Sequence, residues 1–291
     1  MRVLTDIHCH GGGGHYFGTT VEGSLAAAAA HRAAGTGEMV ASLVSMPMTA
    51  LRDALAVLRD AMSVDPSILG AHLEGPFLAP ARKGAHDPHA LLEPTPEAVS
   101  QILAAGDGAI RQITIAPELP GALDAIERFV DAGVVVAVGH SEADAGLAHA
   151  AFDRGATLVT HAFNAMRGIA AREIGPAGAA LADERVFLEV IADGIHVDPR
   201  LIESLFRAAP GRIVLVTDAM SAAAAPDGAY TLGPFDVDVH DGRALIAGTD
   251  TLAGSTLTLA AAIDTCVAAG VPEEQAAAAA STVARDALAV A

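Results

Sequence analysis

The stretch Thr5–His15, TDIHCHGGGGH, sets His8 and His10 at alternate positions behind Asp6 and runs them into four consecutive glycines, Gly11–Gly14. Side chains alternate along an extended chain, so His8 and His10 share one side and Cys9 takes the other. Two imidazoles so placed can hold one cation. An isolated pair is as readily two hydrogen-bonded histidines, so its meaning depends on what stands at the ends of the other strands.

Seven further β-branched runs follow: EMVASLVSM (38–46), SILGAHLEG (67–75), IRQITIAPE (110–118), VVVAVGHS (134–141), TLVTHAFN (157–164), VFLEVIAD (186–193) and RIVLVTDAM (212–220). With RVLTDIHC (2–9) they make eight. Amphipathic helical patterns separate them, such as TALRDALAVLRDAM (49–62) and GALDAIERFVDAG (121–133), which is the alternation of a parallel α/β fold. Thr95 before Pro96 reads as a helix start with Gly106 at its end, and Asp198 before Pro199 repeats the start. The expected fold class is α/β, a (β/α)8 TIM-type barrel, with residues 1–291 forming a single domain. Residues 226–250 break the rhythm with Asp-Gly turns and read as a β-hairpin insertion after strand eight, placed to act as a flap. Two Ala-rich helices then close the outer ring, since alanine is the strongest helix former.

The 291 residues can bury a large core, and no apolar run approaches the ~20 residues of a membrane span. A net charge of −18 disfavours nucleic acid and acidic membrane surfaces as partners. Two cysteines far apart in sequence do not suggest a disulfide framework, and the N-terminus lacks an export-signal pattern, so a cytoplasmic address is expected. An acidic chain also repels a small anionic substrate unless a local cation or helix N-terminus reverses the field.

The strand ends carry the chemistry. Strand one finishes in His8 and His10, strand three in His72 and Glu74, strand five in His140, strand six in His161 and Asn164, strand seven in Asp193 and His196, and strand eight in Asp218. In a βα barrel these ends converge on one face, where active sites form. A lone histidine after an apolar run is usually an ordinary hydrogen-bonded residue, and a lone Asp a helix cap. Four histidines with Glu74 and Asp218 at one mouth are hard to explain as packing. Imidazole with carboxylate suits Zn²⁺ and related divalent metals, and a bound metal activates water and polarises a carbonyl, as amide or ester hydrolysis requires. Six potential ligands exceed one catalytic zinc, so two metals bridged by Glu74 fit the set.

The motifs DIHCHGGGG, GAHLEGPFLAPARKGAHDP, ITIAPE, VGHSEAD, THAFNAM, ADGIHV, LVTDAM and LAGSTLTL, in this order, resemble the N-acetylglucosamine-6-phosphate deacetylases of the amidohydrolase superfamily. The resemblance implies a cytoplasmic enzyme of amino-sugar metabolism that releases acetate from N-acetylglucosamine 6-phosphate. It implies a metal cofactor, one or two divalent ions per chain: Zn²⁺ first, with Fe²⁺, Mn²⁺, Co²⁺ or Cd²⁺ as alternatives. By motif, Glu74, His140 and His161 hold the principal metal and His8 and His10 add a second position, with Asp218 beside them as acid and base. His196 assists at the oxyanion. Asn164, the Ala165 backbone and Arg172 meet the phosphate, Ala85 and His86 the sugar, and Leu252 and Ala253 the acetyl end. The family's small β-sandwich domain has no counterpart in these 291 residues, and a homodimer able to lend a phosphate-binding residue is the usual assembly. Two other readings stay open: an amidohydrolase acting on an unphosphorylated N-acetyl sugar or cyclic amide, and a non-catalytic sugar-phosphate binding protein.

Overall fold

The computed structural model describes residues 3–289, so the expected strand start at Arg2 and domain limits at 1 and 291 lie outside the described residues. Eight strands form one sheet in sequence order: β1 (Leu4–Cys9), β2 (Thr36–Val44), β3 (Ile68–Glu74), β4 (Ile110–Ile115), β5 (Val135–Val138), β6 (Leu158–Val159), β7 (Phe187–Ile191) and β8 (Ile213–Val216). Each adjacent pair is parallel. The sheet closes just past β8, where Ala219 bridges Cys9, Asp218 N–H donates to the His8 carbonyl at 2.8 Å, and His10 N–H donates to the Ala219 carbonyl at 2.9 Å. The expected barrel is therefore present.

Seven helices alternate with the strands: α1 (Val21–Ala33), α2 (Met48–Val64), α3 (Pro96–Gly106), α4 (Ala122–Asp131), α5 (Ala145–Asp153), α6 (Gly175–Ala182) and α7 (Pro199–Ala208). Thr95 and Asp198 cap α3 and α7 as expected, accepting from Ala98 and Arg200 N–H. α3 ends at Gly106 as expected, and the left-handed residue that follows it is Asp107 at φ 47°. Strand six is shorter than expected because the chain turns through positive φ at His161, Phe163 and Ala165 (26°, 78° and 47°), which no strand accommodates. The insertion after β8 is a hairpin extended by a third strand, β9 (Gly228–Leu232), β10 (Phe235–His240) and β11 (Arg243–Ile246), all antiparallel. The Ala-rich tail divides into α8 (Leu259–Ala268), α9 (Glu273–Ala279) and α10 (Thr282–Ala289), three helices where two are expected. Among the described residues no helix is long and apolar enough to cross a membrane.

Between strands and helices lies a dry aliphatic layer that includes Ile7, Leu55, Ile113, Val136 and Ile202. Inside the barrel the packing is partly polar. His72, fully buried, faces the Ser42 hydroxyl through Nδ1 and the Thr114 hydroxyl through Nε2, both at 2.9 Å, and Thr114 meets Thr160 at 2.7 Å. Burial, with His8 nearby, drives the His72 pKa well below its ordinary value, so the ring is neutral and its two contacts are complete. His72 thus belongs to the floor of the barrel although sequence puts it beside Glu74. At the closing seam the buried Asp6 carboxylate accepts from Thr217 Oγ1 at 2.6 Å, Thr217 N–H at 3.3 Å and His8 N–H at 3.2 Å. One side chain of β1 therefore carries the backbone of both seam strands.

Thr217→Val keeps the shape of this side chain and removes the shortest of those bonds. A hydrogen bond to a buried carboxylate contributes about 2 kcal/mol, so urea unfolding should show a loss of roughly that size.

Candidate metal centre and cavity

Strand periodicity and barrel closure bring the strand ends to one point. His8 and His10 both project into the barrel mouth, their Nε2 atoms 3.2 Å apart. Cys9 faces the opposite way, with Sγ 3.1 Å from His31 Nε2 on α1. Glu74, at the end of β3, is the common neighbour. Its Oε1 lies 2.9 Å from His161 Nε2, 3.0 Å from His140 Nε2 and 3.6 Å from His8 Nε2; its Oε2 lies 3.1 Å from His86 Nε2 and 3.2 Å from His10 Nε2. Asp218 Oδ1 stands 3.3 Å from His10 and 3.4 Å from His8. Two ligand groups result, Glu74 with His140 and His161, and Glu74 with His8, His10 and Asp218. The candidate ligand atoms within each lie within 4.8 Å of one another.

Three of these residues, His140, His161 and Asp218, occupy left-handed backbone at φ 48°, 26° and 48°. For a non-glycine residue this costs on the order of 1–3 kcal/mol, and the surrounding barrel must impose it. The turn lifts each side chain from its strand end toward the common centre.

Electrostatics mark the centre as built for a cation. Burial opposes ionisation of Glu74, yet His86, His8, His10 and His140 together hold its pKa well below the usual carboxylate range. Burial likewise opposes protonation of His10, but hydrogen bonds to Asp218 and Glu74 prevail and raise it to about 9. His140 differs: burial outweighs Glu74 and lowers it to about 4, leaving a neutral ring. Its Nδ1 donates to the Arg82 carbonyl at 2.8 Å, so Nε2 carries a bare lone pair and faces His161 Nε2 at 3.0 Å. The raised pKa of His10 reflects the negative charge that Glu74 and Asp218 gather here, and carboxylate oxygens converging with imidazole nitrogens fit a divalent ion that would take the place of those protons.

Above this floor opens a cavity of about 320 Å³ lined by His10, Glu74, His140, His161 and Asp218, and also by Ala85, His86, Asn164, Ala165, His196, Leu252 and Ala253. His8 is wholly buried below it. His196 is anchored through Nδ1 to Asp193 Oδ2 at 2.6 Å, and His86 through Nδ1 to Ser45. Arg172 is the expected site residue that is not brought in; it lies exposed, outside the cavity lining. Arg82, within the quoted motif ARKGAH but given no role from sequence, is the Lys or Arg that does line the cavity, and its Nε is paired with Glu142. Glu189 was also missed. It lies buried under the cavity within 3.0 Å of His8, and its only sequence signal is a lone acid amid the apolar residues of β7.

The amidohydrolase family pattern matches residues 4–291. The N-acetylgalactosamine-6-phosphate deacetylase of Escherichia coli is 39% identical over 262 residues, covering 89% of this chain and 69% of that protein. The N-acetylglucosamine-6-phosphate deacetylase of Vibrio furnissii is 40% identical over 264 residues, covering 89% and 66%. The chain thus spans about two thirds of the length of these curated relatives. Among solved structures, a mutant N-acetyl-D-glucosamine-6-phosphate deacetylase of Mycobacterium smegmatis in complex with N-acetyl-D-glucosamine-6-phosphate superposes with a TM-score of 0.91 at 45% identity, covering 97% of this chain and 74% of that one.

Because Glu74 is common to both ligand groups, Glu74→Ala should abolish tight divalent-metal uptake altogether, whereas His140→Ala should spare the group on β1. Metal content per chain after reconstitution with Zn²⁺ and desalting distinguishes the two results.

Proposed function

The chain belongs to the amidohydrolase family, and from that premise we propose that it is a metal-dependent hydrolase converting N-acetylglucosamine 6-phosphate to glucosamine 6-phosphate and acetate. The observation that carries this reading is the convergence of Glu74, His140, His161, His8, His10 and Asp218 on the floor of one cavity. In this reading Glu74, His140 and His161 hold the principal divalent ion, and His8 and His10 hold a second, with Glu74 shared. An ion bound there would lower the pKa of a coordinated water toward about 7 and polarise the acetamide carbonyl.

The chain's own groups handle the protons and the orientation. Asp218, kept ionised by His8 and His10 against the cost of its burial, accepts a proton from the attacking water at Oδ and returns it to the departing amine. His196, fixed through Nδ1, turns its other ring nitrogen to the carbonyl oxygen as charge develops there. Leu252 and Ala253 enclose the acetyl methyl, and His86 and Ala85 meet the sugar. Asn164 and the Ala165 backbone, held at φ 47°, take the phosphate. Arg172, exposed in its own chain, fits a phosphate role through a homodimer in which it serves the cavity of a second copy. The two free cysteines accord with a cytoplasmic address.

The relative named for the galactosamine substrate favours a second reading, the same reaction on the epimeric sugar phosphate. Released acetate, measured on both phosphorylated sugars and on unphosphorylated N-acetylglucosamine, separates the possibilities. The expected order places N-acetylglucosamine 6-phosphate first in kcat/KM; no advantage from the phosphate would overturn the substrate assignment.

Asp218→Asn should lower kcat by roughly a hundred- to ten-thousand-fold, the usual contribution of a positioned acid–base group. Arg172→Ala should raise KM for the phosphorylated sugar while leaving the slow turnover of the unphosphorylated one unchanged.

A further inference from the structure

Glu189 sits in the middle of β7 with no exposed surface, and the chemistry above leaves it without a task. A buried carboxylate is costly unless its oxygens are fully engaged. Here Oε2 lies 3.0 Å from His8 Nδ1 and accepts from His161 N–H at 3.1 Å, while Oε1 accepts from Gln112 Nε2 at 2.7 Å. An ionised carboxylate only accepts, so His8 must carry its hydrogen on Nδ1. In its neutral, ligating form the ring then presents its lone pair at Nε2. That is the atom standing 3.2 Å from His10 Nε2, 3.4 Å from Asp218 Oδ1 and 3.6 Å from Glu74 Oε1.

We infer that Glu189 is a positioning residue for the second metal position: it selects the ligating tautomer of His8 and fixes the plane of its ring. The same oxygen ties down the backbone of His161, which belongs to the first ligand group and sits at φ 26°. Glu189 is therefore the lower counterpart of Glu74, one carboxylate joining the two ligand groups from above and the other from below. Carboxylate partners of metal-bound histidines act in this way, and losing one typically costs 10- to 100-fold in metal affinity. This inference rests on the two-position metal reading given above, and not on the identity of the substrate.

Zn²⁺ titration of the metal-free full chain, with fluorescent-chelator competition, tests it in the wild type, Glu189→Gln and Glu189→Leu. The neutral amide can still accept from Nδ1–H and the leucine cannot. Affinity for the second equivalent should therefore fall in the order wild type, Gln, Leu, by about 10- to 100-fold for the leucine variant, with the first equivalent weakened clearly less. An unchanged second equivalent, or equal weakening of both, overturns the role. A measurement on the wild type guards against variants that do not fold: in Zn²⁺-loaded, ¹⁵N-histidine-labelled protein, His8 should show a protonated Nδ1 and ligation through Nε2. A proton on Nε2, or ligation through Nδ1, overturns the proposal. Uptake of a single equivalent by the wild type removes the second position and this role with it, while a deacetylase working from the first position would stand.

Discussion

One buried carboxylate confronting five imidazoles is the constraint on which this molecule turns. Glu74 has ring nitrogens of His8, His10, His86, His140 and His161 within 3.6 Å, and those rings come from β1 and the residue just past it, from the segments after β3 and β5, and from the turn after β6. No local stretch of chain could supply them. The parallel barrel does, because every strand delivers its C-terminal end to the same face and the closure between Cys9 and Ala219 draws the first and last of those ends together. Left-handed turns at His140, His161 and Asp218 complete the convergence, at a cost that the surrounding hydrogen bonds sustain.

Beneath this face the barrel interior is a hydrogen-bonded polar layer instead of an aliphatic one, with Gln112 Oε1 left without a partner. Asp6 with Thr217, His72 with Ser42 and Thr114, and Glu189 with Gln112 and His8 each occupy buried space that hydrocarbon could fill. Apolar packing constrains a ring's position but leaves its protonated nitrogen unspecified; hydrogen bonds settle both. A floor of this kind holds the His8 ring in one orientation before any ion arrives, which is what a preorganised centre needs.

Much of this was legible in the sequence. The eight strands fall where β-branched runs recur, and period-2 geometry put His8 and His10 on one side with Cys9 on the other. The convergence of barrel strand ends brought Glu74, His140, His161 and Asp218 to one mouth, and the motif resemblance supplied their roles. The residues that were not legible have separate physical causes. Both faces of a parallel strand are buried, so neither face of VFLEVIAD announces itself as the barrel interior, and Glu189 could not be told from a chance acid. His72, two residues before Glu74, reads as a companion at the site and is instead one layer lower. The turn at His161 depends on tertiary contacts, which is why the β-branched run at 157–164 reads as a longer strand than the fold contains. The exposed Arg172 shows the limit of transfer by motif: residue type carries over from a family, whereas its location relative to a cavity depends on the loop and on neighbouring molecules.

The seam between Cys9 and Ala219 bears on the order of events as the chain folds. His8 and Asp218 are 210 positions apart in a chain of 291 residues, and they become neighbours only after the last barrel strand docks against the first. A cation that requires both has little to grip in a partly assembled chain, so its affinity accrues to the closed barrel alone. An ion bound there would act as a latch, slowing escape from the native state far more than it hastens arrival there.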